Sequence, residues 1–297
     1  MRVACVGDNV VDVYTSLRLV FPGGNAVNVA VAARRAGAET AYVGALGTDE
    51  AGRIVREALV AEDVDISHTR IIEGPNAYST IELVGGDRIF GAADIGVSRV
   101  VLDNEDLGYL AGFDIVHSGD NSMCESQISR MAEVAPISYD FGERPPEYWR
   151  PLAPYVRVAC FSAGDRSAEQ AEQLARAVAE LGPQLVVVTE GARGAMVMEA
   201  GKVHRVGTSV TPIDTLGAGD SLIGCFLAQI IAGEDSSNAL EAANAAAART
   251  CLHHGAFGHV HAHDSGSAHE DQRSSIVFAQ LDRVAHAPAP MQHGSGT

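Results

Sequence analysis

Short β-branched runs alternate with longer alanine-rich stretches along most of this chain, and that rhythm restricts it to an α/β architecture. Val3–Val6 reads as a first strand, and Asn25–Arg35 as a helix with Gly37 just past its end, where a left-handed residue is wanted. Thr40–Val43 then reads as a strand and Glu50–Ala61 as a helix. Ile115–His117, Ile137–Asp140, Val156–Phe161 and Leu185–Thr189 read as further strands, with the helix Ala168–Leu181 before the last of them. Two segments break the rhythm. Val10–Val20, and Tyr78–Val84 with Arg88–Phe90, alternate apolar and polar as half-exposed strands do, and Gly85-Gly86-Asp87 joins the latter two as a hairpin turn. An antiparallel flap on a parallel body is the expected outcome, and such flaps close over substrates.

The densest chemical signal is Ile213-Asp214-Thr215-Leu216-Gly217-Ala218-Gly219-Asp220-Ser221, followed by the apolar helix Leu222–Ile231. Glycines around one alanine let the backbone turn tightly and expose N–H groups at a helix start, where the dipole favours anions. A transferring phosphoryl group needs that environment, because its charge spreads over the equatorial oxygens. Asp220 in the first turn is placed to accept a hydroxyl proton. The plainer alternative is a turn with an acidic cap.

Pro22-Gly23-Gly24-Asn25-Ala26-Val27-Asn28 opens the first long helix and offers bare backbone beside amide donors and acceptors. With Asp12 from the preceding alternating segment, it suits a polyhydroxylated ligand; alone, it would be a cap and a flap turn. Arg88 in the flap is either a contact for an anionic substrate group or an exposed strand residue. Asp140, at the end of a strand, either faces the cleft or caps the next segment.

Other chemistries find less support. The chain has no GxxxxGK(S/T), and its only lysine, Lys202, lacks that context, so a P-loop is excluded. Gly7-Asp8-Asn9-Val10-Val11-Asp12 after the first strand is not the GxGxxG of a dinucleotide fold. A net charge of −17 argues against nucleic acid as a partner. Five scattered cysteines without a CxxC pair suggest neither disulfides nor a cysteine zinc site. No apolar run reaches membrane-spanning length, and the first residues read as a strand, not a signal peptide, so a reduced, cytoplasmic enzyme is expected. His253, His254, His259, His261, His263 and His269 crowd the end of the folded part without the spacing of a metal site.

The stretches Gly23–Asn28, Gly44–Gly52 and Asp214–Asp220 together resemble both signatures of the ribokinase-type (PfkB) carbohydrate kinases, in the right order over roughly residues 1–260. Within that family, Gly7–Asp12, Asp87–Gly91 and Ile115–His117 resemble the fructoselysine 6-kinases. The resemblance implies a ribokinase-like three-layer sandwich, with a central mostly parallel sheet flanked by helices and a small β-lid from about 10–20 and 76–98. It implies Asp220 as base, the amides of Gly217, Ala218 and Gly219 as anion hole, and Asp12, Gly24 and Asn28 on the sugar; Asn25, Arg88 and Asp140 are further substrate candidates. ATP would lie along Thr189, Gly191, Gly194, Thr215 and Asn244, with Mg2+ as its metal and a monovalent cation such as K+ near Ala256. Where the family carries Asn-x-x-Glu for magnesium, this chain has Ser162-Ala163-Gly164-Asp165, leaving Asp165 as the metal candidate.

The expected activity is ATP-dependent phosphorylation of a small sugar, at the 6-hydroxyl of a fructosamine such as fructoselysine. The rivals are another acceptor (ribose, fructose, a 2-keto-3-deoxy sugar acid or adenosine) and a non-catalytic sugar or nucleotide sensor. Exposed lid edges suggest a homodimer through the lid. Residues 261–297, rich in Ala, His, Ser, Gly and Pro, read as a loose tail with one short helix at Ile276–Val284.

Overall fold

The fold was obtained as a computed structural model, which describes residues 1–84 and 87–262. The first third holds strands β1 (Arg2–Val6), β2 (Val10–Tyr14), β3 (Leu19–Gly23), β4 (Glu39–Val43), β5 (Ala45–Gly47), β6 (Arg70–Ile72), β7 (Tyr78–Val84) and β8 (Asp87–Asp94). Helices α1 (Asn25–Arg35) and α2 (Glu50–Ala61) fall among them. The middle holds α3 (Asn104–Leu110), β9 (Ile115–Gly119), α4 (Ile128–Ala132), β10 (Ile137–Asp140), α5 (Pro146–Trp149), β11 (Val158–Ser162) and α6 (Ala168–Ala179). Then come β12 (Leu185–Thr189), β13 (Ala195–Glu199), β14 (Lys202–Val206), α7 (Ala218–Ile231), α8 (Ser236–Thr250) and β15 (His261–Ala262).

An eight-stranded sheet in the order β14-β13-β12-β11-β10-β9-β1-β4 forms the middle layer. Its neighbours from β4 through β12 pair in parallel, and β13 alone runs against them, its hairpin partner β14 pairing antiparallel to it. Side-chain alternation along these strands feeds two cores. Val3 and Cys5 face one way, against α1, α7 and α8, while Ala4 and Val6 face the other, against α3, α4 and α6. Strands buried on both faces explain the near-continuous apolar runs of the sequence. The β13–β14 hairpin turns at the far end of the sheet, where Glu199 pairs with Leu185 on one side and with Lys202 on the other.

The lid is a second, five-stranded sheet in the order β15-β3-β2-β7-β8. The alternating Val10–Val20 segment is thus two strands, β2 and β3, joined by a turn, and the lid reaches Gly23. His261 and Ala262 pair with Val20 and Leu19, so the first two residues of the expected tail belong to the lid edge instead. The expected Gly85-Gly86 turn, the side chain of Arg88, the Ile276–Val284 helix, His263 and His269 lie outside the described residues. No helix among the described residues is long and apolar enough to cross a membrane.

One close approach sets the position of the site. A Cβ at Gly224 would fall 2.6 Å from both Ala32 Cβ and Val29 O, so α7 lies directly on α1 at that point. Asp220 and Asn28 sit one turn earlier on their helices, and the contact carries them together.

Candidate active site

The site gathers at the carboxyl ends of β1, β9 and β10, where open α/β sheets bind their ligands. Asp220, half-buried in the first turn of α7, is gripped by two amides from α1. Asn25 Nδ2 donates to its Oδ1 at 2.8 Å and Asn28 Nδ2 to its Oδ2 at 2.7 Å. Asn25 Nδ2 also donates to Asp140 Oδ2 at 3.0 Å, while Asp140 Oδ1 accepts from the Gly142 amide at 3.0 Å. Asp140 therefore faces Asn25 and Asp220 and closes its own turn, and it does not cap the next helix, α5, whose N-cap is Pro145. Asn28 Oδ1 is buried with no hydrogen-bond partner in the structure, which leaves an acceptor for a hydroxyl.

Gly24, the residue before α1, has no side chain to cap the helix. Asp8, from the end of β1, does so from a distance: its carboxylate accepts from the amides of Asn25 at 2.8 Å and Ala26 at 3.3 Å, and from Ser122 Oγ at 2.7 Å. Asp12, 5% exposed on β2, points at the Gly23 backbone, since a Cβ there would lie 2.3 Å from its Oδ2. Asp120 binds Arg144 Nε at 2.8 Å.

These carboxylates shape one another. Burial, countered by Asn28 and Asn25 and reinforced by Asp8 and Asp120, raises Asp220 to about 6. Burial, eased by the Gly142 amide and reinforced by Asp220, Asp120 and Asp8, raises Asp140 to about 7. Burial also raises Asp120, against the pull of Arg144. A base must be ionised to accept a proton, and a carboxyl with a raised value is protonated below it. kcat/KM should therefore rise with pH through about 6, with unit slope, and flatten above. A pH–rate profile without an acid limb near that value would remove Asp220 from the role.

On the other side of the α7 start, Gly217 adopts a left-handed φ of 72° and Ala218 opens the helix. The Ala218 amide turns back to Thr215 O at 3.2 Å, so it is partly spent within the turn. Gly219 is exposed, and a Cβ on it would meet nothing within 4 Å, so this residue borders open space. That space is a cavity of about 330 Å³, which Ala218 and Gly219 share with Thr189, Gly191, Gly194, Thr215 and Asn244. All five residues expected along the nucleotide thus line one cavity, which reaches the Ala218-Gly219 turn beside Asp220. Asn244 also donates to Gly207 O at 3.0 Å, which fixes its amide at the cavity wall. Asp165 is exposed on the turn after β11. Among the described residues, no three His, Cys, Asp or Glu side chains gather to hold a metal.

The lid is tied to this turn. Tyr14, two residues after Asp12 on β2, donates its hydroxyl to Asp214, which also accepts from the amides of Leu216 at 2.9 Å and Gly255 at 3.2 Å.

The sequence matches the pfkB family carbohydrate kinase over residues 11–261. This chain belongs to that family. It is 36% identical over 278 residues to the fructosamine kinase of Bacillus subtilis, covering 90% of this chain and 98% of the relative. It is 34% identical over 258 residues to the fructoselysine 6-kinase of Escherichia coli, covering 86% of this chain and 98% of the relative. A crystal structure of a fructokinase double mutant from Vibrio cholerae with fructose, ADP and potassium ion superposes with a TM-score of 0.70 at 27% identity, covering 86% of this chain and 94% of that one. The chain is thus a carbohydrate kinase with the ribokinase-like fold expected from its motifs.

Four site residues, Asp8, His117, Tyr14 and Asp120, have no role assigned from the sequence. Asp8 stands there in the Gly7–Asp12 stretch, His117 at the end of an expected strand, Tyr14 in an alternating run, and Asp120 in no stretch singled out. Asp8 does carry a signal: it follows two residues after β1, a strand whose carboxyl end opens on the cleft, whereas His117 sits mid-way along β9.

Proposed function

We propose that this kinase transfers the γ-phosphoryl group of ATP to the 6-hydroxyl of a fructosamine such as fructoselysine. The observation that carries the reading is Asp220, held by two amides at the start of the helix whose exposed turn borders the cavity. Asp220 takes the hydroxyl proton as the acceptor oxygen attacks, and the Gly217–Gly219 turn with the α7 dipole stabilises the charge on the transferring phosphoryl. Asn28 Oδ1 and Asp12 accept sugar hydroxyls, and the lid excludes water.

The choice of acceptor rests on charge. Among the described residues, the carboxylates of Asp8, Asp120, Asp140 and Asp220 act on one another in this part of the cleft, and Arg144 beside them is bound to Asp120. A fructosamine carries a secondary ammonium that such a wall favours; a sugar acid would be repelled. The names of the two relatives agree with that class.

Magnesium would supply charge neutralisation at the phosphates when bound. It keeps several waters and is usually held by phosphates with one or two carboxylates, which fits a site with the single exposed Asp165 and no three-ligand cluster among the described residues. We assign a monovalent cation such as potassium to the turn at Gly255-Ala256, which packs on Gly217.

The test is a coupled ADP-release assay across fructoselysine, other fructosyl-amino acids, fructose, ribose, adenosine and 2-keto-3-deoxygluconate. kcat/KM for fructosyl-amines should exceed that for fructose by about 10- to 100-fold, as a charge-assisted contact provides. A preference for fructose, ribose or the sugar acid would overturn the assignment of acceptor.

A further inference from the structure

His117 is the third residue of β9, and its side chain is fully buried. Its ring touches two groups: Nδ1 lies 3.0 Å from Ser138 Oγ, and Nε2 lies 3.1 Å from Asn25 Oδ1. The same Asn25 amide reaches Asp220 and Asp140 through its nitrogen.

Donor and acceptor counting makes this chain directional. A carboxylate only accepts, so the two acids require the NH2 end of Asn25, and its single oxygen must face the ring. That oxygen also only accepts, so His117 carries its proton on Nε2. Nδ1 is then a lone pair, which takes the hydroxyl hydrogen of Ser138. The opposite tautomer would present a lone pair to Asn25, invite the amide to turn over, and set an oxygen against two carboxylates.

We propose that His117 is a positioning residue for the base, its Nε2–H locking the Asn25 amide so that both amide hydrogens are delivered to Asp220 and Asp140. This rests on the reading of Asp220 as base. The other groups facing Asp220 are the Asn28 amide and the carboxylates of Asp8, Asp120 and Asp140, so amide donors are what keep it ionised. Burial lowers the imidazole itself to about 3, so the ring stays a neutral, one-proton strut at working pH. The ring does not titrate there; Asp220 does.

Two measurements test this. In 15N-histidine-labelled wild-type protein, ring nitrogen shifts should show His117 as the neutral Nε2–H tautomer at neutral pH, a result that needs no turnover. In pH–rate profiles with the best acceptor, His117→Phe should lower kcat/KM by about 10- to 100-fold. Its acid limb should move up by about one pH unit, because the lost donor favours protonated Asp220. His117→Gln, which keeps an N–H near the same place, should move the limb back toward wild type. An Nδ1–H tautomer would overturn the proposal, even if His117→Phe fails to fold. So would an unmoved acid limb in His117→Phe that loses only thermal stability. Wild-type protein that turns over no acceptor would instead fail the functional reading, and the tautomer would still be read.

Discussion

Asp220→Asn should reduce kcat by about 10³- to 10⁴-fold for every acceptor, with the affinities for ATP and sugar nearly unchanged. The substitution keeps shape and removes the proton acceptor. It also replaces one carboxylate oxygen with an NH2 group, which then meets Asn25 Nδ2 or Asn28 Nδ2, both donors. Part of the effect would therefore appear as a lower melting temperature, and titration calorimetry with ATP separates binding from chemistry. Turnover within tenfold of wild type would move the base elsewhere, and the neighbouring carboxylate to examine would be Asp140, which shares the Asn25 amide.

Gly217→Ala should be the next most damaging single change. Its φ of 72° is costly for a residue with a side chain, by about 1–2 kcal/mol. The added Cβ would also lie 2.3 Å from Ala256 Cβ and 2.7 Å from its Cα, closer than real Cβ atoms come. Either the turn opens or the Gly255-Ala256 segment retreats, and each displaces the amides proposed to face the phosphoryl group. A loss of about 10²- to 10³-fold in kcat is expected, the scale of a removed oxyanion donor. Gly219→Ala is the control for stability, because its Cβ meets nothing within 4 Å. A melting temperature for Gly217→Ala equal to that of Gly219→Ala would contradict the packing argument.

The parts legible in the sequence were those whose chemistry depends on local backbone. The Gly217–Asp220 turn, the α1 start and the parallel strands carry their reasons in a few adjacent residues. What remained hidden depends on contacts between distant segments. Asn25 and Asn28 read as sugar ligands, yet they also hold Asp220, and that role appears only once Gly224 lets α7 settle on α1. Asp8 caps a helix that begins 17 residues later, across a whole lid hairpin, so no local capping pattern reveals it. His117 sits inside an apolar strand, where one sequence cannot distinguish a packed histidine from a hydrogen-bonded one. The short β15 was absorbed into the tail because two residues carry no periodicity.

The single lysine has a practical consequence. Lys202 lies at the exposed start of β14, level with the start of β12, and the chain's amino terminus lies at the start of β1. Both are at the ends of their strands opposite the cleft. Reagents that acylate lysine thus have one side-chain target in the sequence, at the end of the sheet away from Asp220. The enzyme can be coupled to a sensor surface or carry a fluorophore through this amine with its mouth turned outward, without engineering an attachment point.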